Sequence, residues 1–472
     1  MVEIKKSRTS TNFIFYVGYQ ILIYLIPFVV APFLTRTLKE ETLGLFTFSN
    51  SIVTYFVLLA NLGIARYGQR EIANKSNNEK ETFWSLFFVH FISSLLSLCV
   101  FVILLFTVFK SQVNIYAICI LYIVSSLFDV TWLFYGRENF KIVTLVNALF
   151  SVAKMILVFS LIRNEGHLII YQSLYYGAFL LSNLMIFLIA LRHVGKPVLN
   201  WRLMIKHIKP LLFFSLIIIA VTLYTVFDKT IIGIFLDKTE VAYYEYADKI
   251  ISIPKMLLLT IGTVLFPKMC SLQNDNEEER ILKIHVVSLF FSIGIGVGAI
   301  FGLVAIGKPV LTLYYGGNFE KSGEYIVYMA PLVLLITLGD IFRTQFIIPQ
   351  KKDKFFLLSV SINAVLNIVL SFALIKPLGV LGVIIGTLVA EGFGTLFQIW
   401  YCRSSTNFKK IIEYVLVFCV FGVIMFFAIK GLDVLIKIDE IIKIIILFSV
   451  GIIIYSAFFA GFLIVQKRRN WN

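Results

Sequence analysis

Phe83–Phe109 reads FWSLFFVHFISSLLSLCVFVILLFTVF and contains no Asp, Glu, Lys or Arg. As a helix, these 27 residues would be about 40 Å long, and the hydrocarbon core of a bilayer is about 30 Å thick. A soluble domain has no place for an uncharged run of this length, whereas a membrane span does. Lys110 closes the run and the next begins at residue 113. Working outward in both directions gives fourteen such runs: 12–34, 43–65, 83–109, 113–135, 142–162, 168–191, 211–236, 250–266, 285–306, 325–349, 355–375, 380–401, 411–429 and 441–465. Run 250–266 is the weakest, being short and carrying Pro254 and Lys255.

The composition agrees. Of 472 residues, 59% are hydrophobic and 15% charged, and the mean hydropathy is +0.91. Ordinary soluble domains have about 45–50% apolar and about 25% charged residues. This surplus excludes a soluble enzyme, a disordered chain and a secreted disulfide scaffold. The breaks between runs are too short to bury a core of their own, so no separate soluble domain is expected.

The net charge of +15 lies in those short breaks, not in one basic domain, so nucleic acid is not an expected partner. The five cysteines, Cys99, Cys119, Cys270, Cys402 and Cys419, lie mostly in or beside apolar runs without close spacing. They read as packing residues, and no metal site or disulfide framework is expected. Breaks on the side of the N-terminus, with both tails, carry 26 of the 42 Lys and Arg residues, against 11 on the other side. The positive-inside rule then places both termini in the cytoplasm and requires an even number of spans. Lys5, Lys6 and Arg8 precede the first run as in a signal peptide. The run is too long for one and no small-residue cleavage site follows, so it reads as a retained span.

An internal repeat is visible at an offset of 198 residues: LKEETLGLF at 38–46 matches LDKTEVAYY at 236–244, and Asn50-Ser51-Ile52 falls on Asp248-Lys249-Ile250. Six spans separate the copies, so the halves have the same orientation and form a parallel repeat about an axis along the membrane normal. The expected fold is therefore all-α, with about fourteen transmembrane helices. Two six-helix bundles, 1–191 and 211–401, would be joined by a basic cytoplasmic linker, 192–210, and two further spans with a basic tail would occupy 402–472. The linker carries Arg192, Lys196, Trp201, Arg202, Lys206 and Lys209 and reads as partly amphipathic at the membrane surface.

An ionisable side chain at the centre of a span costs about 2.5–3.5 kcal/mol, so it should face a partner or a wet cavity. Asp129, Lys154, Asp228, Lys229, Asp340, Arg343 and Glu391 lie within spans, and Arg36, Arg66 and Lys255 lie near span ends. Asp340 and Arg343 are three apart and share a helix face. Lys154 is mid-run with no carboxylate in its own span. Glycines at 294, 296, 298 and 302, and at 379, 382 and 386, suit close helix packing.

Several motifs, in order along the chain, resemble the polysaccharide or oligosaccharide flippases of the MATE-like MOP superfamily (Wzx-type proteins). They are PFLTRTL at 32–38 with Gly44 following, LGIARYGQREIA at 62–73, and DVTWLFYG at 129–136 with Phe140. In the second half come DKTIIG at 228–233, YEYADK at 244–249 and LFPKM at 265–269. Lys39 stands where the family usually has Gly, and Arg137 intervenes before Glu138.

The resemblance implies two bundles facing a central cavity and a lipid-linked sugar cargo, an undecaprenyl-diphosphate repeat unit turned from the cytoplasmic to the outer leaflet. It also implies a multi-pass protein of the bacterial cytoplasmic membrane, working with a polysaccharide polymerase and assembly machinery. A diphosphate needs cationic partners, for which Arg36, Lys154, Lys229 and Arg343 are the candidates. Asp228, Asp340 and Glu391 are candidates for ion coupling or gating, while Arg66, Asp129 and Lys255 are the less certain positions. No Walker loop is present in the sequence, so no ATP hydrolysis or other cofactor is expected, and energy would come from a proton or cation gradient.

The rivals are a MATE-like cation-coupled drug exporter, a lipid II flippase, a membrane sugar polymerase or acyltransferase, and a non-transporting scaffold. The exporter would want carboxylates where this chain leans basic. The enzymes would need a nucleophile or base held near substrate, and only His90 of the five histidines is well within a span. The protein is therefore read as a transporter and not an enzyme.

Overall fold

The computed structural model describes residues 25–74, 78–403, 406 and 408–468. Within the long helix 201–235, nothing is described of the side chains at 217, 220, 221, 223 and 224. Among the described residues the secondary structure is helical throughout, without strands. The chain divides into two compact units, Met1–Thr230 and Ile231–Asn472.

The first unit contains α1 (Leu25–Thr37), α2 (Glu40–Asn61), α3 (Ile64–Ala73), α4 (Glu79–Thr107), α5 (Val113–Leu127), α6 (Thr131–Gly136), α7 (Phe140–Leu161), α8 (Leu168–Val194) and most of α9 (Trp201–Phe235). The second has the end of α9, then α10 (Lys238–Asn274), α11 (Glu278–Tyr315), α12 (Glu320–Met329), α13 (Leu332–Phe342), α14 (Asp353–Leu378), α15 (Val380–Tyr401), α16 (Phe408–Leu435) and α17 (Glu440–Arg468).

Among the described residues, eleven helices or continuous helix pairs are long and apolar enough to span a membrane, or twelve if a pair bent by 47° between Met329 and Leu332 counts as one span. This is fewer than the fourteen runs in the sequence. The two runs outside the count are 12–34, described only from Leu25, and 211–236, which lies in α9. Run 250–266 is the middle of α10, a helix of 37 residues that continues through Pro254 and Pro267.

The boundary between the units also differs from the expected linker. Only 195–200 is non-helical; Gly195 (φ 76°) ends α8, and α9 begins at Trp201. Met204 and Leu211 on α9 join a buried cluster with Tyr67, Trp84, Trp132 and Ile186. The turns after the basic segment thus belong to the first unit because their apolar face is buried there.

Two of the sequence motifs meet in this unit. Leu62 (φ 41°) and Gly63 (φ 70°) break α2 from α3. A Cβ on Gly63 would lie 2.7 Å from the backbone nitrogen of Ser215 on α9, so only glycine permits this approach. On α3, Gly68 lets the Trp132 ring pack where a Cβ would be 2.8 Å away. Reciprocally, Gly136 on α6 admits Ile72, whose Cβ would be 2.7 Å from an added methyl.

The two similar segments, 38–46 and 236–244, each lie at the start of a helix. Lys39 (φ −69°, ψ 158°) precedes α2 and Asp237 (φ −71°, ψ 151°) precedes α10, so both helices start from an extended residue at the 198-residue offset. In the second unit, α11, α16 and α17 share one apolar core around Phe290, Phe418 and Tyr455. Tyr455 donates its hydroxyl to the carbonyl of Gly294 at 2.6 Å.

Candidate functional site: a polar cavity in the first unit

The break between α5 and α6 creates the site. The chain leaves α5 at Phe128, and Asp129 Oδ1 accepts the Thr131 backbone N–H at 3.0 Å and its hydroxyl at 2.7 Å. This satisfies the start of α6, as a capping carboxylate does. It also leaves Asp129 on the wall of a cavity of about 270 Å³. Facing it across that cavity are α7 and α8.

On α7, Asn147, Ser151 and Lys154 line the cavity at i, i+4 and i+7, one helix face. On α8, Phe179, Ser182 and Asn183 do so, and Asn61, Tyr122, Ser125, Ser126, Thr131 and Tyr135 add to the polar lining. Ser182 donates to Asn147 Oδ1. Asn183 Nδ2 donates to the carbonyl of Ser125 at 3.1 Å and to its hydroxyl at 3.0 Å.

The Lys154 amine lies 4.7 Å from the Tyr175 ring centroid and 5.5 Å from that of Phe179. Its charge therefore rests on an aromatic wall that Tyr122 continues, 5.4 Å from Phe179. Among the described residues it makes no ion pair. Cation–π contact returns about 0.5–2 kcal/mol, less than the insertion cost of about 2.5–3.5 kcal/mol for a central lysine.

The remaining candidates are placed otherwise. Arg36, at the end of α1, and Arg66, on α3, are exposed. Asp228 is buried and Lys229 half-buried on α9. Two residues on from Asp228, the Thr230 hydroxyl is bonded to Tyr55 at 3.0 Å and Ser51 at 3.1 Å. In the second unit, Asp340 and Arg343 form the ion pair their spacing suggests, with Arg343 also 5.6 Å from the Phe356 ring centroid. Arg343 opens a π-helical turn, Arg343–Ile347, that follows α13.

Lys255 is paired with Asp248 at 3.0 Å along α10. Glu391 is buried on α15. That helix packs on α14, whose Ser359, Asn363, Asn367 and Ser371 recur every fourth residue. Gln398 donates to Ser359 at 2.9 Å, Asn367 donates to Thr387 at 2.9 Å, and Gly394 and Gly386 make room for Asn363 and Ser371.

Of the ten candidates, the structure thus brings Asp129 and Lys154 into one cavity. Asn61, Ser125, Asn147, Ser182 and Asn183, uncharged and so not among the candidates, line the same cavity. Asn147 carried a periodic signal, seven residues before Lys154 on the same face of α7; the others, on α2, α5 and α8, carried none.

The family described as "Polysaccharide biosynthesis protein" matches residues 10–273, more than half of the chain. The chain belongs to this family. A Shigella dysenteriae relative named for O-antigen transport is 26% identical over 384 residues, covering 80% of this chain and 95% of its own. The low-salt glycan biosynthesis flippase Agl15 of Haloferax volcanii is 22% identical over 233 residues, covering 49% of each chain.

Among solved structures, the lipid II flippase MurJ in an inward closed conformation matches with a TM-score of 0.73 at 17% identity, over 96% of this chain and 98% of its own. An inward-facing multidrug resistance MATE transporter of the MOP superfamily matches with a TM-score of 0.63 at 14% identity, over 84% and 95%. At such identities these likenesses speak for the fold, which is of the MurJ and MATE type. Family, fold and long apolar helices together make this a multi-pass membrane protein of the polysaccharide biosynthesis family.

Proposed function

We propose that this protein is a flippase for lipid-linked oligosaccharides, with Lys154 as a contact to the lipid diphosphate. The observation that carries the reading is the cavity of the first unit, where an amine without an ion-pair partner among the described residues faces serine and asparagine side chains. Phosphate oxygens would take the lysine's donors. Ser and Asn offer donors and acceptors to phosphate and sugar hydroxyls alike. At about 270 Å³ the cavity suits a diphosphate or one sugar, not a whole repeat unit, so the remainder of the cargo would occupy other space.

In this reading the cargo is an undecaprenyl-diphosphate repeat unit, moved from the cytoplasmic to the outer leaflet of a bacterial cytoplasmic membrane and passed to a polymerase. Fourteen spans, both termini in the cytoplasm and alternating access of two repeated six-helix bundles belong to the same proposal. Arg36, Lys229 and Arg343 are further cationic contacts, with Arg343 ranked below Lys154 because Asp340 already meets its charge. Asp228, Asp340 and Glu391 are assigned to proton or cation coupling. The names of the relatives, O-antigen transporter and glycan flippase, support a transporter over an enzyme.

One observation favours a second reading, a MATE-like exporter of cationic compounds: Asp129 lines the same cavity. The test is gene deletion followed by analysis of lipid-linked sugars and surface polysaccharide. Loss of the polymer with precursor retained in the cytoplasmic leaflet supports the flippase. Unchanged polymer with new sensitivity to cationic drugs transfers the assignment to the exporter.

A further inference from the structure

The first three turns of α9 present three different stripes. Met204, His207 and Leu211 are buried in the first unit, and His207 Nδ1 is 2.8 Å from the Tyr67 hydroxyl of α3. Trp201, Ile205, Ile208 and Leu212 form an apolar stripe that is 60%, 66%, 44% and 49% exposed. Arg202, Lys206 and Lys209 form a third stripe and are all exposed. At about 100° per residue, the basic stripe lies opposite the buried one, with the exposed apolar stripe about 90–100° from each.

The depth of these turns follows from length and from a proline. A helix of 35 residues is about 52 Å long, about 20 Å more than the hydrocarbon core. Pro210, inside the helix, has no N–H to give to the carbonyl of Lys206. Such a carbonyl is costly in hydrocarbon and cheap in the hydrated headgroup layer. The apolar run begins directly after it, at residue 211. With run 211–236 as a span, the turns 201–210 come at headgroup depth, where Trp201 is an interfacial residue of the usual kind.

We propose that Arg202, Lys206 and Lys209 form a binding site for the phosphate of anionic phospholipids, with the Trp201–Leu212 stripe seated beside the acyl chains. Arg202 would take phosphate oxygens through its forked donors and the two lysines through point charge. The buried stripe, held through His207 and Tyr67, fixes the rotation of the helix. The three cations cannot then turn away from the lipid. The site is separate from the cavity around Lys154 and does not depend on what the protein transports.

The test uses the full chain with Trp400→Phe and Trp471→Phe, which leaves Trp201 as the exposed reporter, since Trp84 and Trp132 are only 3% and 1% exposed. The protein is reconstituted with brominated phosphatidylglycerol or brominated phosphatidylcholine at equal mole fraction, and tryptophan quenching is read. The anionic lipid should quench more effectively by at least about five-fold, the factor supplied by one basic residue near an anionic surface. The preference should disappear in Arg202→Gln/Lys206→Gln/Lys209→Gln and persist in Lys206→Arg/Lys209→Arg. Equal quenching by the two lipids in the chain that keeps all three cations overturns the proposal without reliance on any charge variant. So does quenching by neither lipid, or a preference that survives the triple substitution.

Discussion

Lys154 and Arg343 looked alike in the sequence, as cations inside apolar runs, one in each half. The structure gives them opposite surroundings. Lys154 projects into a polar cavity against Tyr175 and Phe179. Arg343 is locked to Asp340, and α10 approaches so closely that a Cβ on Gly262 would collide with that carboxylate. Coulomb attraction between charges in contact is strong in a low-dielectric interior, so Asp340 neutralises much of what Arg343 could offer a ligand. The comparison separates a cation that makes no ion pair among the described residues from one whose charge a neighbour already meets. The pairing of Asp340 with Arg343 reads first as architecture.

The largest effect should come from the open cation. Lys154→Ala should abolish surface polymer in a complementation assay while the protein still reaches the membrane, and Lys154→Arg should restore part of it. Full complementation by Lys154→Ala would remove the contrast with Arg343 altogether. The paired cation should behave differently: beyond any loss of the coupling assigned to Asp340, Asp340→Asn should lower stability. Losing one partner of a buried pair costs about 3–5 kcal/mol, and here about 2 kcal/mol is expected because Arg343 is a third exposed. The thermal midpoint of purified protein should fall, and Asp340→Asn/Arg343→Gln should recover part of the loss.

A smaller effect sharpens the same point. Gly262→Ala should push Asp340 from its place and cost about 1–3 kcal/mol by overpacking, read as a lower midpoint with Lys154-dependent function retained. The smallest concerns the contact of α3 with α9. Burial holds the His207 imidazole below its ordinary value of 6.5, against the charge of Glu71 and with that of Lys206. The unfolded state therefore binds the proton first. The stability from this contact is complete above about pH 6.5 and falls as the pH drops below it. Hydrogen exchange of α3 amides, corrected for the intrinsic rate, should be faster at pH 5.5 than at pH 7.5, and His207→Gln should remove the difference.

How much could be read beforehand depended on the kind of signal. Long uncharged runs announced the helices because burial of backbone in lipid leaves few alternatives to a helix. The common offset of Lys39 and Asp237 was visible because LKEETLGLF at 38–46 and LDKTEVAYY at 236–244 are alike. The breaks at Leu62–Gly63 and Phe128–Val130 were not visible: hydropathy continues across both, while backbone sterics and capping by Asp129 decide them. The cavity was half legible. Charged members stood out against apolar neighbours, whereas Asn147 and Ser182 show their role only when α7 and α8 are packed. The division between units at Thr230 and Ile231 lies beyond the basic segment, because charge marks the membrane surface and not the place where apolar contacts change partners.

That boundary bears on how the protein is made. The first unit needs Met204 and Leu211 in its core and Thr230 bonded to Tyr55, all on α9. At about 5–20 residues per second of synthesis, the stretch from Val194 to Thr230 takes roughly 2–7 s. Until α9 is made, the inner faces of the earlier helices await a closing piece. A ribosome stalled there would leave an unfinished bundle open to quality-control proteases, so the tempo of translation through the basic segment is part of this fold's biogenesis.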